Sequence, residues 1–175
     1  MADLYKIIIV PAPVLREKAQ AVENLTEGVR VQMDRMLATM YEAPGIGLAA
    51  NQVGLLNRVI VMDIAQREDP ATRRPICMMN PEIVWTSDEP SLWEEGCLSI
   101  PGQYAEVQRP KAVRVKYVGY DGTAHEDYFE NLGAHCVQHE IDHLNGVLFV
   151  DYLSSLKRNM MLKKVEKAQK AETVL

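Results

Sequence analysis

Val29, Met33, Met36, Leu37, Met40 and Tyr41 recur at the spacing of one helical face, and the pattern stops at Pro44-Gly45. This predicts an amphipathic helix from about 26 to 42, with its methionines serving as core packing. Between Arg58 and Phe129 the pattern changes to short β-rich runs. Val59-Ile60-Val61-Met62, Ile83-Val84-Trp85, Ala112-Val113-Arg114-Val115-Lys116-Tyr117 and Asp127-Tyr128-Phe129 read as strands, with Asp121-Gly122 the clearest hairpin signal. A second helix is expected from about 132 to 144, stopped by Asn145-Gly146. Ser154 and Ser155 are placed to cap a third, at about 154–171. Helix, antiparallel strands and then helices make an α+β domain.

Composition narrows the reading. A chain of 175 residues, 47% hydrophobic and 25% charged, suits one globular domain over 1–175. Its apolar runs are too short to span a bilayer, and the first residues lack the apolar core of a signal peptide, so a cytoplasmic protein is expected. With 24 acidic against 19 basic side chains the net charge is −5, which argues against a nucleic-acid-binding domain, DNA-binding included. Three cysteines do not make a disulfide framework. Cys77 and Cys136 read as small buried hydrophobes.

The second helix carries His139-Glu140-Ile141-Asp142-His143. Residues four apart on a helix point the same way, so both imidazoles can reach one ion, with Glu140 beside them as general acid or base. A catalytic site of this kind takes a third protein ligand. Six residues after His143, where one protease class has another histidine, stands Phe149, which closes that route. Glu166 lies among Lys163, Lys164 and Lys167 and reads better as part of a solvated face. Cys97, in Glu95-Gly96-Cys97-Leu98-Ser99, offers a thiolate suited to zinc or ferrous iron. Spacing alone leaves Cys97 evenly balanced between ligand and buried hydrophobe.

Three segments occur in order: Gly45-Ile46-Gly47-Leu48-Ala49-Ala50-Asn51-Gln52, Glu95-Gly96-Cys97-Leu98-Ser99 and Gln138-His139-Glu140-Ile141-Asp142-His143. Together they closely resemble the signature motifs of the peptide deformylases, and the similarity runs from about residue 7 to 164. The resemblance implies an enzyme that removes the formyl group from the N-terminal formylmethionine of new bacterial polypeptides. It implies that Cys97, His139 and His143 hold one divalent metal ion, generally ferrous iron, with zinc, nickel or cobalt also accepted. Glu140 would be the catalytic carboxylate, and Gln52 and the backbone N–H of Leu98 would hold the formyl oxygen. Gly45 and Gly47 would bring backbone close to the substrate. Ile46, Trp93, Leu132, His135 and Cys136 would line a methionine pocket, with Glu95 and Gly96 beside them. Glu95, Gln138 and Asp142 are candidates for orienting the ligands.

One departure stands out. Such enzymes commonly enter this helix through an acidic residue, a glycine and then apolar residues, whereas this chain has Glu130-Asn131-Leu132-Gly133-Ala134-His135. His135 shares a face with His139 and His143, and either sits at the pocket mouth, making it more polar, or is a solvated or hydrogen-bonded histidine outside the site. The last helix bears Lys157, Arg158, Lys163, Lys164, Lys167 and Lys170. By resemblance it docks on the ribosome; otherwise it is a solvated face, with Met160, Met161, Leu162 and Val165 inward. A monomer is expected. Two alternatives remain, a metallopeptidase using Glu166 or another ligand and a non-catalytic nascent-chain or ribosome-binding protein with a vestigial metal site. Glu140 and Gln52 argue against the second, because a structural metal needs neither.

Overall fold

Thr26 begins the first helix, α1 (Glu27–Glu42), by accepting a hydrogen bond from the Val29 N–H at 3.2 Å. The structure, a computed structural model, describes residues 3–65 and 69–174. Five antiparallel strands follow one another across the main sheet in the order β1 (Gly47–Ala49), β2 (Val59–Met62), β3 (Ile76–Thr86), β6 (Ala112–Val118) and β7 (Ala124–Glu130). A separate two-stranded sheet pairs β4 (Pro90–Cys97) with β5 (Ile100–Pro110). Helices α2 (Leu132–Leu144) and α3 (Ser155–Val174) complete the α+β architecture.

The unbroken apolar run of β2 has a simple cause: both of its faces are covered. Ile60 and Met62 pack with Ala134, Val137 and Ile141 of α2, whereas Val59 and Val61 pack with Met33, Met36 and Met40 of α1. By contrast β6 alternates, with Val113, Val115 and Tyr117 inward and Arg114 and Lys116 outward. A third core joins Ile100, Ala105 and Val107 of β5 to Phe149, Val150, Met161 and Val165. Helix α2 is therefore buried along nearly its whole length. Its apolar side meets the main sheet, and its polar side faces β4 and β5.

Entry to α2 is abrupt. Only Asn131 separates it from β7, and its φ of +54° lies in a region non-glycine residues rarely occupy. The exit is a Schellman turn: Val147 N–H bonds to Asp142 O at 2.9 Å and Gly146 N–H to His143 O at 3.0 Å. Gly146 has a φ of +75°, and a Cβ there would collide with the backbone of Arg16.

Strands β1, β4 and β5 go beyond the sequence expectation, and α3 runs past residue 171. Met160, expected inward, is 51% exposed; Met161 and Val165 are the buried residues of that helix face. No described helix is long and apolar enough to cross a membrane.

Candidate active site

The ligand candidates come from two elements. His139 and His143 lie one turn apart on α2, and Cys97 ends β4, which a tight turn through Leu98 and Ser99 joins to β5. The His143 Nε2 is 3.2 Å from His139 Nε2 and 3.3 Å from Cys97 Sγ. Two nitrogens bound to one tetrahedral ion would be separated by about 3.3 Å, and a nitrogen and a sulfur by about 3.6 Å. Burial opposes protonation of His139, but its contacts with Cys97 and Glu95 outweigh that and pull it well above 6.5. Burial and the neighbouring His139 push His143 well below 6.5. These electron-pair donors converge on a point that calls for one cation, and the residues fit a metal ion. Among the described residues they are the group able to hold one.

Glu95 fixes how His139 presents itself. Burial alone would raise its carboxyl, but hydrogen bonds from His135, His139 and Arg109 hold it well below the ordinary carboxylate range. An ionised carboxylate only accepts, so His139 Nδ1 must carry the proton it donates to Oε1 at 2.9 Å. That turns Nε2, the nitrogen a bound ion would take in place of a proton, toward Cys97 and His143. Arg109 grips Glu95 from the other side, Nε to Oε2 at 2.7 Å and Nη2 to Oε1 at 3.0 Å. The same guanidinium donates to Asp142 at 2.9 Å, which also accepts from the Tyr152 hydroxyl at 2.6 Å. Arg109, 4% exposed, was absent from the sequence reading. A signal did exist: it occupies the inward phase of β5 shared with Ala105 and Val107, where a charge demands a partner.

A cavity of about 700 Å³ opens beside these residues. Gly45, Ile46, Gly47, Trp93, Glu95, Gly96, Leu132, His135 and Cys136 line it, together with Gln52, Cys97, Leu98, His139 and Glu140. Ile7, Pro101 and Tyr104, not anticipated from sequence, line it as well. Gln52 is buried on the short turn after β1; its Oε1 accepts from Ala49 N–H at 2.9 Å, which fixes which end of the amide points away. Its Nε2 donates to Ser99 Oγ at 3.1 Å and lies 3.6 Å from Cys97 Sγ. Burial pushes the Glu140 carboxyl up to about 7, and its Oε1 is buried with no protein partner. Gly47 allows this: a Cβ at that position would meet the Glu140 carboxylate.

Three expectations change. His135 does not offer polar atoms at the pocket mouth; it is 1% exposed, and both ring nitrogens are engaged, by Glu95 and Ser91. Gln138 supports no histidine, since its Nε2 donates to the Pro110 and Ala134 carbonyls. Asp142 acts on Arg109 rather than on a ligand. Glu166 is exposed and ion-paired with Lys170, and Cys77 and Cys136 are buried.

Two imidazoles and a sulfur poised for one ion, with a carboxylate and an amide facing the same cavity, define a metal-dependent hydrolase. Comparison with known proteins narrows the class. A family model described as Polypeptide deformylase matches residues 4–159. A peptide deformylase of Methylocella silvestris is 55% identical over 170 residues, covering 97% of this chain and 87% of that protein. The crystal structure of a peptide deformylase from Legionella pneumophila superposes with a TM-score of 0.90 at 42% identity, covering 98% of each chain. That of the Ehrlichia chaffeensis enzyme in complex with actinonin gives 0.89 at 38% identity, covering 95% of this chain and 98% of that one. The chain belongs to the polypeptide deformylase family, enzymes that hydrolyse the N-formyl group of nascent peptides.

Proposed function

We propose that this cavity receives the N-formylmethionyl end of a newly made polypeptide, and that Cys97, His139 and His143 hold the ion that serves its hydrolysis. The supporting observation is that these three donors lie within 4.8 Å of one another, and that two of them, Cys97 and His139, line one cavity together with Glu140 and Gln52. A divalent ion there supplies Lewis acidity, which lets water ionise near neutral pH. Glu140, held in a buried carboxyl with a free oxygen, takes the proton from the attacking water and passes it to the departing amine. Gln52 Nε2 and the backbone N–H of Leu98 donate to the formyl oxygen as it gains negative charge. Gly45 and Gly47 keep side chains out of the substrate's path. Ile46, Trp93, Leu132 and Cys136 give the methionine side chain an apolar seat.

Ferrous iron is the ion proposed for the cell, since one thiolate with two imidazoles suits it, and zinc, nickel or cobalt would also fit. The chain is proposed to act as one catalytic domain, as a monomer and in the cytoplasm. Exposed Lys157, Lys163, Lys164 and Lys167 on α3 support contact with ribosomal RNA phosphates. Removing α3 is no test of that contact, because Met161 and Val165 belong to the third core. Replacing Lys163, Lys164 and Lys167 with glutamate should abolish salt-sensitive co-sedimentation with ribosomes and spare hydrolysis of short peptides.

The deciding experiment is formate release from formyl-Met-Ala-Ser by protein purified without oxygen and loaded with ferrous iron or nickel. Formate that disappears with Glu140→Ala, with the Met-Ala bond intact, is the expected result. Peptide-bond cleavage without formate would instead establish a metallopeptidase.

A further inference from the structure

The inward face of β4 and one face of α2 meet rung by rung. Ser91, Trp93, Glu95 and Cys97 alternate on the strand, and His135, His139 and His143 follow at helical intervals of four. Two strand residues advance about 6.6 Å and four helical residues about 6.0 Å, so the step from Cys97 and His143 to Glu95 and His139 matches on both elements, whereas the third pair lies four strand residues further on, past Trp93. Cys97 meets His143 at 3.3 Å, Glu95 meets His139 at 2.9 Å, and Ser91 meets His135 at 2.9 Å. Glu95 also bridges rungs, because its Oε2 takes the His135 Nδ1 hydrogen at 2.9 Å. Its Nε2 is hydrogen-bonded to the Ser91 hydroxyl, which can either donate to the ring or accept from it.

We propose that His135 is a positioning residue for the metal centre: by pinning Glu95 and Ser91, it holds α2 in register against β4, so that His139 and His143 meet Cys97. The proposal rests on the metal-site reading above. His135 is buried, and its ring nitrogens both point to β4 rather than to a bound peptide. Its partner carboxylate is the one that orients His139. A pocket wall needs only ring area, and Trp93 already lies across that position with its ring centre 6.1 Å from that of His135.

The test measures cobalt or zinc affinity of the full chain by competition with a chromophoric chelator, together with the visible spectrum of the cobalt form. Partners behind a metal ligand change affinity by about 10–100-fold when lost, and His135 stands one step further back, so His135→Leu should weaken binding about tenfold. It should also shift the cobalt bands, and lower kcat more than it raises KM. Ser91→Ala should weaken binding by a smaller factor. His135→Asn, whose amide can still donate to Glu95, should restore most of the affinity lost in His135→Leu. Unchanged affinity and spectrum in both His135→Leu and Ser91→Ala, with only KM raised, would overturn the proposal and leave His135 as pocket wall. Should His135→Leu fail to fold, Ser91→Ala and His135→Asn decide by the same measure. Failure of the unaltered chain to bind one cobalt ion would overturn the metal-site reading itself, a distinct result.

Discussion

Replacing Gly47 with alanine should injure catalysis while leaving the metal site intact. A Cβ at this position would stand 2.8 Å from Glu140 Cδ and 2.9 Å from Cγ, where ordinary contact begins at 3.4 Å, and closer still to Oε2. The carboxylate must therefore retreat by roughly 0.5 Å or more, or β1 must move away from α2, and packed interiors resist both. A misplacement approaching 1 Å costs a positioned catalytic group up to about 100-fold. The expected fall in kcat is thus about 10–100-fold, equivalent to about 1.4–2.7 kcal/mol on the barrier. Overpacking should lower folding stability by about 1–3 kcal/mol. The three atoms nearest that Cβ all belong to Glu140 and none to Cys97, His139 or His143, so metal content should match the unaltered protein. The assay is formate release at saturating formyl peptide with nickel-loaded enzyme, alongside metal analysis and thermal unfolding. A kcat within twofold of the unaltered enzyme would refute the placement of Glu140 as proton carrier at this contact.

Arg109→Met would leave Glu95 as a buried carboxylate deprived of its cation, and should cost about 3–5 kcal/mol in urea unfolding of the metal-free protein; a loss below about 1 kcal/mol would show the pair is dispensable. Asp151 should contribute acid sensitivity: burial raises its carboxyl, but Arg16 and the Leu148 N–H outweigh this and lower it below 3.8. Because its folded value is the lower one, the stabilisation is present above about pH 3.8 and is lost as pH falls through the folded value. Asp151→Asn should accordingly flatten the fall in stability at acid pH, measured by denaturant titration, and an unchanged slope would contradict the assignment. At Gly146, an alanine must adopt positive φ and displace the Arg16 backbone, so a loss of at least about 1–3 kcal/mol is expected in thermal unfolding, and a neutral result would deny that the turn is tightly held.

Local signals in the chain located α1, α2 and α3 and, apart from β1, the strands of the main sheet, because each carries a clear period or a stop residue. They did not locate β4 and β5. Both are short of β-branched residues, and Pro90, Pro101, Gly102 and Pro110 look like turn residues when read singly. What holds them as strands is tertiary: the third core and the contact of Glu95 and Arg109 with α2. The ligand pair on α2 was legible because one helix turn brings both together. The partnership of Cys97 with them, 46 positions from His143, was left evenly balanced by the residues alone and was favoured only through resemblance. His135 shows the limit of a helical wheel. Its shared face with His139 was read correctly, but that face meets β4, and a hydrogen-bonding strand residue such as Ser91 cannot be found from spacing.

The proposed donors for the ion are divided between a helix of the main core and the end of a small two-stranded sheet. Binding is therefore also a closure of two structural pieces, and its free energy appears as cohesion between them. At a free ion concentration 100 times the dissociation constant, that cohesion is worth about 2.7 kcal/mol. Chelation should release it locally: amide exchange should quicken through β4 and β5 while the five-stranded sheet keeps its protection. A preparation partly stripped of metal, or carrying a weaker-binding ion, would then melt over a broadened range, so that the thermal profile of a sample becomes a reading of how its metal sites are filled.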